Sequence, residues 1–179
     1  MISEGYPLFL GPEHLTLKAR ENWSAQEAKE NLEWLLGISD ARVEGLLERL
    51  GESWSDDPSS HLGTVGKKAV ALLKKEPFSR QDPIGRSLTD IGLALAADLG
   101  LLVAKYLLRE HAAKLKWEVR RKGRREFTFN LPVLTGFANN HNDHLDPIGV
   151  SISKSWAVLR GERDFGAWER LYQDCLRNV

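Results

Sequence analysis

The stretch SLTDIGLALAADLGLLVAKYLLR, residues 87–109, decides the fold. Its length and almost continuous apolar character predict one long helix, begun by a Ser87 cap, at the centre of the core. Its few polar residues form one narrow stripe, made of Asp90, Asp98, Lys105 and Arg109. Asp98 and Lys105 would each cost roughly 2.5–3.5 kcal/mol at the centre of a bilayer. The stretch is therefore predicted to be the core helix of a soluble protein and not a membrane span.

Small residues recur every four positions along this helix, at Gly92, Ala96, Gly100 and Ala104. Side chains four apart form a ridge on the helix surface, and a ridge of small residues lets another backbone come close. We expect a strand or a neighbouring helix to lie against this ridge.

The composition is that of an ordinary globular chain, with 179 residues, 42% hydrophobic and 28% charged. Twenty-five basic residues balance twenty-five acidic ones, so there is no overall attraction to nucleic acid or to an anionic membrane. Cys175 is the single cysteine, which rules out an intrachain disulfide and suits a reducing compartment. The first residues lack the basic and apolar regions of a signal peptide. We expect a cytoplasmic protein.

The first half of the chain is predicted to be mainly helical, after two short strands within the first twenty residues. Ser24 to Glu27 reads as a capping box, and Asp57-Pro58 reads as an N-cap followed by a first helical turn. Gly37 is expected to end the first of these helices. Residues 76–86 contain Pro77, Pro83 and Gly85 and are predicted to be a loop. We expect a single domain over 1–179, with a possible subdivision into 1–76 and 87–179.

The segment Leu36-Gly37-Ile38-Ser39 resembles the hairpin of helix-hairpin-helix DNA-binding modules, in which backbone N–H groups meet a phosphate. Ser39 stands where that family has its second glycine. The flanking helices carry glutamates that would repel phosphate, namely Glu27, Glu30, Glu33, Glu44 and Glu48. An ordinary helix–turn–helix corner is the favoured interpretation.

A hairpin is predicted over residues 115–131, with Gly123 in the turn and alternating apolar residues on both sides. Like charges directly opposite one another destabilise a strand pair. We therefore expect Arg120 opposite Glu126, and not Glu118 opposite Glu126. Helices capped by Asp146 and Asp164 follow. The predicted fold class is α+β, with about six helices around a small antiparallel sheet built on this hairpin.

The predicted turn is strongly basic, with five basic residues in six: Arg120, Arg121, Lys122, Arg124 and Arg125. A two-stranded ribbon can enter a major groove, and a basic tip can grip phosphates. The alternative is a solvated turn whose charges protect a sheet edge from aggregation. We favour the turn, because the chain as a whole is neutral, and expect no tight binding of nucleic acid.

The polar loop that follows carries His141, Asp143 and His144. Imidazole and carboxylate groups can bind a metal and activate water. The His-x-x-His spacing needs a third ligand from elsewhere, such as His111, and Asp146 already serves as an N-cap. A connecting loop is the favoured interpretation, and we expect neither a bound metal nor a cofactor.

Two of the six tryptophans fall outside the predicted core faces. Trp34 lies off the apolar stripe of its helix, and Trp54 lies in a polar loop. Tryptophan is enriched at binding hot spots. One hypothesis is an acidic-aromatic patch of Trp34 and Trp54 for a basic partner, rimmed by Glu30, Glu33, Asp56 and Asp57. The alternative is that the N-terminal segment or residues 76–86 cover both rings.

The long apolar helix, a strand bearing Trp117, and the motif Pro132-Val133-Leu134-Thr135-Gly136 together resemble small bacterial proteins whose domain has no known function. Some proteins of this sort are regulators or toxin-neutralising partners. The resemblance implies no activity. The leading hypothesis is thus non-catalytic binding of a protein partner. The alternatives are a metal-assisted hydrolase centred on His141 and His144, and a nucleic-acid accessory protein that uses the basic tip.

Overall fold

The structure, a computed structural model, describes residues 5–83, 85–138 and 143–179. Over these ranges it contains helices α1 Glu13–Thr16, α2 Ala25–Leu50, α3 Pro58–Leu73, α4 Asp90–His111, α5 Pro147–Leu159 and α6 Ala167–Leu176. The strands are β1 Ser79–Asp82, β2 Gly85–Leu88, β3 Lys116–Val119, β4 Pro132–Thr135 and β5 His144–Leu145. The predicted α+β class is confirmed.

Two small antiparallel sheets accompany the helices. Strands β1 and β2 form a hairpin in which Ser79 lies opposite Leu88. Strands β3, β4 and β5 form a second sheet in that order. Strand β4 is central in that sheet: Leu134 lies opposite Trp117 on one side and Leu145 on the other, and Thr135 lies between Lys116 and His144.

Helix α4 is the centre of the core, as predicted. By length and composition it could cross a membrane, but 78% of its most apolar window is buried inside the protein. It packs mainly against α5, with further contacts to α2, α3 and α6. This burial is compatible with a soluble protein.

The small-residue ridge of α4 lies against other backbone, which confirms the expectation from its spacing. A Cβ placed on Gly92 would lie 2.0 Å from the carbonyl oxygen of Phe78, just before β1. A Cβ placed on Gly100 would lie 2.3 Å from the carbonyl oxygen of Pro147, the first residue of α5. Both distances are far below van der Waals contact, so only glycine fits at these two positions.

The buried carboxylate Asp98 ties α4 to α2 and to the N-terminal segment. Arg42 donates two hydrogen bonds to it, from Nε at 2.7 Å and from Nη2 at 2.8 Å. The Tyr6 hydroxyl donates a third at 2.6 Å. Arg42 also donates to the carbonyl oxygens of Pro7 and Leu8, each at 3.0 Å. Burial raises the pKa of Asp98, and the hydrogen bonds from Arg42 oppose that rise.

Three of the predicted helix caps are confirmed and two are shifted. The Ser24–Glu27 capping box forms, and Asp57 and Asp146 cap α3 and α5. Helix α4 is capped by Thr89 and not by the predicted Ser87. Asp164 lies before α6 and accepts a hydrogen bond from the Gly166 backbone, and Gly166 is the N-cap.

Helix α2 runs unbroken through Gly37 and Ser39, so the predicted break there is wrong. The buried positions Leu35, Ser39 and Val43 continue in helical phase across the glycine. A glycine inside a helix costs only about 1 kcal/mol, which packing of a continuous apolar stripe outweighs. The helix-hairpin-helix interpretation is wrong as well, because these backbone groups lie within a helix.

Two other local predictions are corrected. In place of two early strands, residues 5–22 contain α1 and a 3-10 turn at Arg20–Asn22. The predicted loop at 76–86 contains the β1–β2 hairpin, which Phe78 anchors in the core beneath α4.

The 115–131 hairpin register is wrong, because β3 pairs with residues 132–135. Glu118 lies opposite Val133, and residues 124–130 form turns. Burial explains the choice: Val133 and Leu134 are fully buried, whereas Phe127 is 74% exposed. The expected attraction between Arg120 and Glu126 is nevertheless present as a side-chain ion pair at 3.3 Å.

We expect Asp98→Ala to lower the free energy of unfolding by about 3–5 kcal/mol, because it leaves the Arg42 charge buried without its partner. Asp40→Ala is the matched control. Asp40 also pairs with a base on α4, Lys105, but its side chain is 78% exposed, so its loss should cost at most about 1 kcal/mol. Urea denaturation measures both. Equal costs would show that the Asp98 cluster does not hold the fold together.

Two Gly→Ala substitutions should have opposite signs. Gly100→Ala should destabilise the protein by about 1–3 kcal/mol, since the added methyl overlaps the Pro147 carbonyl and must displace α5. Gly37→Ala should stabilise it by up to about 1 kcal/mol, because a Cβ at this helical position meets no described atom within 4 Å. Urea denaturation of the two variants checks the sign of each change. A stabilising Gly100→Ala would contradict the close approach of α4 and α5.

Candidate functional site

A cleft of about 1040 Å³ opens between α5, α6, β5 and the turn that carries Phe127 and Thr128. We call it the α5–α6 cleft. Its apolar walls come from Phe127, Phe137, Leu145, Val150, Ile152, Trp156 and Leu171. Its polar lining includes Thr128, His144, Asp146, Arg160, Asp174 and Asn178. Apolar walls with a few polar groups are typical of a binding site.

The packing of α5 on α4 explains why the cleft is apolar. The face of α5 buried against its neighbours carries Ser151 and Ser155. Ser151 donates to the carbonyl oxygen of Ala96 at 2.6 Å and accepts from Trp168 Nε1 at 2.7 Å. Small side chains on this face match the small ridge of α4. The larger apolar side chains of α5, such as Ile152, are only half-buried and line the cleft instead.

A chain of three side chains lies at the wall of the cleft. The Thr128 hydroxyl lies 3.1 Å from His144 Nε2, and His144 Nδ1 lies 2.6 Å from Asp143 Oδ1. Arg120 Nη1 donates to the other carboxylate oxygen of Asp143 at 3.1 Å. The hydrogen bonds from His144 and then Arg120 lower the pKa of Asp143. The carboxylate is therefore charged and fixes one end of the chain.

Burial raises the pKa values of two other groups that line the cleft, Cys175 and Asp146. Burial raises the pKa of Cys175 to about 11, so its thiol is a poor nucleophile at neutral pH. Burial also raises the pKa of Asp146, whose Oδ1 accepts the Gly149 backbone N–H at 2.9 Å as the cap of α5. Both residues serve the structure of the cleft wall.

The predicted metal-site residues are only partly described. Asp143 and His144 lie side by side, whereas His141 lies outside the described residues. Among residues 5–83, 85–138 and 143–179, no three His, Cys, Asp or Glu side chains group closely enough to hold a metal. His144 contacts Thr128. The predicted 115–131 hairpin places Thr128 on a strand, whereas the structure places it in a turn.

The basic tip divides into two groups. Arg120 is half-buried between Glu126 and Asp143. Arg121 bonds to Asn130 and lies 5.3 Å from the centre of the Phe129 ring. The other three basic residues, Lys122, Arg124 and Arg125, are exposed. The two engaged arginines hold the turn in shape.

The structure does not bring Trp34 and Trp54 together. Trp34 is half-buried against the core, with the Phe9 ring packed edge-on at 5.5 Å, as expected if the N-terminal segment covers it. Sixteen residues of α2, about 24 Å of helix axis, separate Trp34 from Leu50. Trp54 follows that end, packs on Tyr106 and is 43% exposed.

A second polar cluster lies beneath Trp54 and was not predicted. His61 is buried, with Nδ1 2.5 Å from the Tyr106 hydroxyl. Within the part of the chain that the structure describes, its Nε2 has no hydrogen-bond partner, and it lies 3.6 Å from Glu52 Oε2. Burial lowers the pKa of His61, which favours the neutral ring. These residues come from α3, α4 and the loop before α3, so no sequence motif connects them.

Comparison with protein-family models, with curated proteins and with solved structures finds no match for this chain.

Trp34→Ala should destabilise the protein more than Trp54→Ala. We expect a cost on the order of 2 kcal/mol for Trp34, below the range for fully buried rings because Trp34 is half-buried. Trp54 is more exposed and should cost at most about 1 kcal/mol. Urea denaturation of both variants gives the order. The reverse order would show that Trp34 contributes less to the core than Trp54 does, and Trp34 would again be a candidate for surface binding.

Proposed function

We propose that this chain is a partner-binding protein of a bacterial cytoplasm, of the regulatory or toxin-neutralising type. The α5–α6 cleft would receive an apolar segment of the partner protein. The observation that carries the proposal is the size and apolar lining of the cleft, together with the 74% exposure of Phe127 at its wall.

An exposed phenylalanine beside an apolar cleft supports a binding role. Contiguous apolar surface on a monomer is unusual and marks interaction sites more often than single exposed residues do. Arg20 holds the Phe127 ring, with its guanidinium carbon 5.1 Å from the ring centre. A ring fixed in this way loses little conformational entropy when a partner covers it.

The other hypotheses have weaker support. A metal-assisted hydrolase at His141 and His144 lacks a third ligand among the described residues. Nucleic-acid binding at the tip would rely on Lys122, Arg124 and Arg125, since Arg120 and Arg121 already contact neighbouring groups. The Trp34 and Trp54 patch would have two separated halves.

A photo-crosslinking residue at position 152, inside the cleft, tests the proposal in cells of the native host. Position 17 is the control, because Leu17 is 93% exposed and lies outside the cleft lining. We expect position 152 to give a discrete protein adduct, identified by mass spectrometry, that position 17 does not give. Phe127→Ala in the same background should weaken that adduct.

Equal adducts from both positions, or none from position 152, would contradict the proposal. Circular dichroism of each variant confirms that the fold is retained.

A further inference from the structure

We propose that Thr128, His144 and Asp143 form a hydrolytic site that cleaves esters of apolar carboxylic acids, with the acyl chain lying in the α5–α6 cleft. This activity goes beyond the partner binding proposed above. It is also distinct from the predicted metal-assisted site, because its nucleophile is Thr128 and it involves described residues only.

The contacts orient the histidine ring. Asp143 is an ionised acceptor, so the His144 nitrogen 2.6 Å from it, Nδ1, carries a proton and donates. In the tautomer protonated at Nδ1, Nε2 is an acceptor, and it lies 3.1 Å from the Thr128 hydroxyl. The hydroxyl donates to the base that would deprotonate it. Nucleophile, base and orienting carboxylate are thus connected in the order that covalent hydrolysis requires.

Arg120 keeps the carboxylate in place. It donates to Asp143 Oδ2 at 3.1 Å, which leaves Oδ1 for His144. Its guanidinium is itself held by Glu126 at 3.3 Å. Asp143 and Arg120 are therefore positioning residues, and Thr128 and His144 are the catalytic residues.

The surroundings define the substrate class. Thr128 and His144 line the cleft, and its walls include Val150, Ile152 and Trp156. An acyl chain against these side chains would place its carbonyl carbon near the polar wall. The volume of the cleft is at the upper limit for small-molecule sites, which favours a medium-length aliphatic or aromatic acyl group over acetate.

The reaction balances with water as the only co-reactant. Thr128 Oγ attacks the ester carbonyl carbon while His144 Nε2 accepts the hydroxyl proton. The bond to the alcohol oxygen breaks, and the alcohol leaves with that proton from His144, so an acyl-threonine remains. Water then attacks the acyl carbon and gives a proton to His144. The carboxylic acid leaves, and Thr128 Oγ recovers the proton. Asp143 stabilises the imidazolium in both steps.

The test uses the full chain with p-nitrophenyl acetate, butyrate and octanoate. We expect the wild-type protein to prefer butyrate or octanoate to acetate. Thr128→Val, which removes the hydroxyl at nearly constant shape, and His144→Gln should each lower kcat by about 10²–10⁴-fold. Thr128→Ser should keep activity. Thr64→Val is the matched control, since Thr64 is an exposed threonine on α3 outside the cleft lining.

The positioning role has its own readout. Asp143→Asn should lower kcat and leave KM unchanged, because Asp143 does not line the cleft. Mass spectrometry of the quenched octanoate reaction should find the octanoyl group on Thr128. Thermal melts of all variants report on folding.

Wild-type hydrolysis no faster than that of Thr128→Val, or acylation at a residue other than Thr128, would overturn the proposal. Its failure is distinguishable from that of the binding function. Thr128→Val should keep the adduct formed from position 152. Loss of that adduct from a protein that still hydrolyses esters would contradict the binding function and leave the hydrolytic site supported.

Discussion

The close approach of α5 to α4 is the constraint on which the remaining structure depends. At Gly100 the two backbones leave no room for a side chain, since a Cβ there would meet the Pro147 carbonyl at 2.3 Å. The facing side of α5 must therefore be small, and Ser151 and Ser155 occupy it. Both hydroxyls donate to backbone carbonyl oxygens, Ser151 to Ala96 and Ser155 to Ser151, so their burial is compensated. Val158 is buried with them, whereas Ile152 and Trp156 are half-buried and line the cleft. The same contact that fixes the core thus leaves an apolar cleft open.

Asp98 supplies a second constraint, of a different kind. A carboxylate in the middle of the long apolar helix α4 is costly to bury, and Arg42 and Tyr6 together satisfy it. Because Arg42 also donates to the carbonyl oxygens of Pro7 and Leu8, these residues lie along α2, and residues 5–12 contain no strand. Apolar burial drives the folding of this region, while the charge network determines which segment covers which helix.

The sequence predicted best what is decided locally. The Ser24, Asp57 and Asp146 caps depend on residues three positions apart, and all three are present. The central role of α4 followed from its length and composition. The prediction failed where distant packing competes with a local signal. Gly37 reads as a helix end, yet the stripe from Leu35 to Val43 continues across it. Residues 127–131 alternate like a strand, yet Val133 and Leu134 bury more apolar surface beside β3.

The candidate site was only half predictable for the same reason. The sequence indicates Asp143 and His144 because they are polar neighbours in one loop. The proposed hydrolytic chemistry also needs the Thr128 hydroxyl beside His144. Thr128 reaches His144 because β4 pairs with both β3 and β5, and that order of strands is not visible in local spacing. The cleft depends on α4–α5 packing, and the chain of hydrogen bonds depends on the β3–β4–β5 sheet. Two independent parts of the fold therefore meet at one wall, where apolar surface lies beside an oriented imidazole. Apolar surface alone suits a binding protein, whereas the oriented imidazole gives the same cleft a means of acting on what it binds.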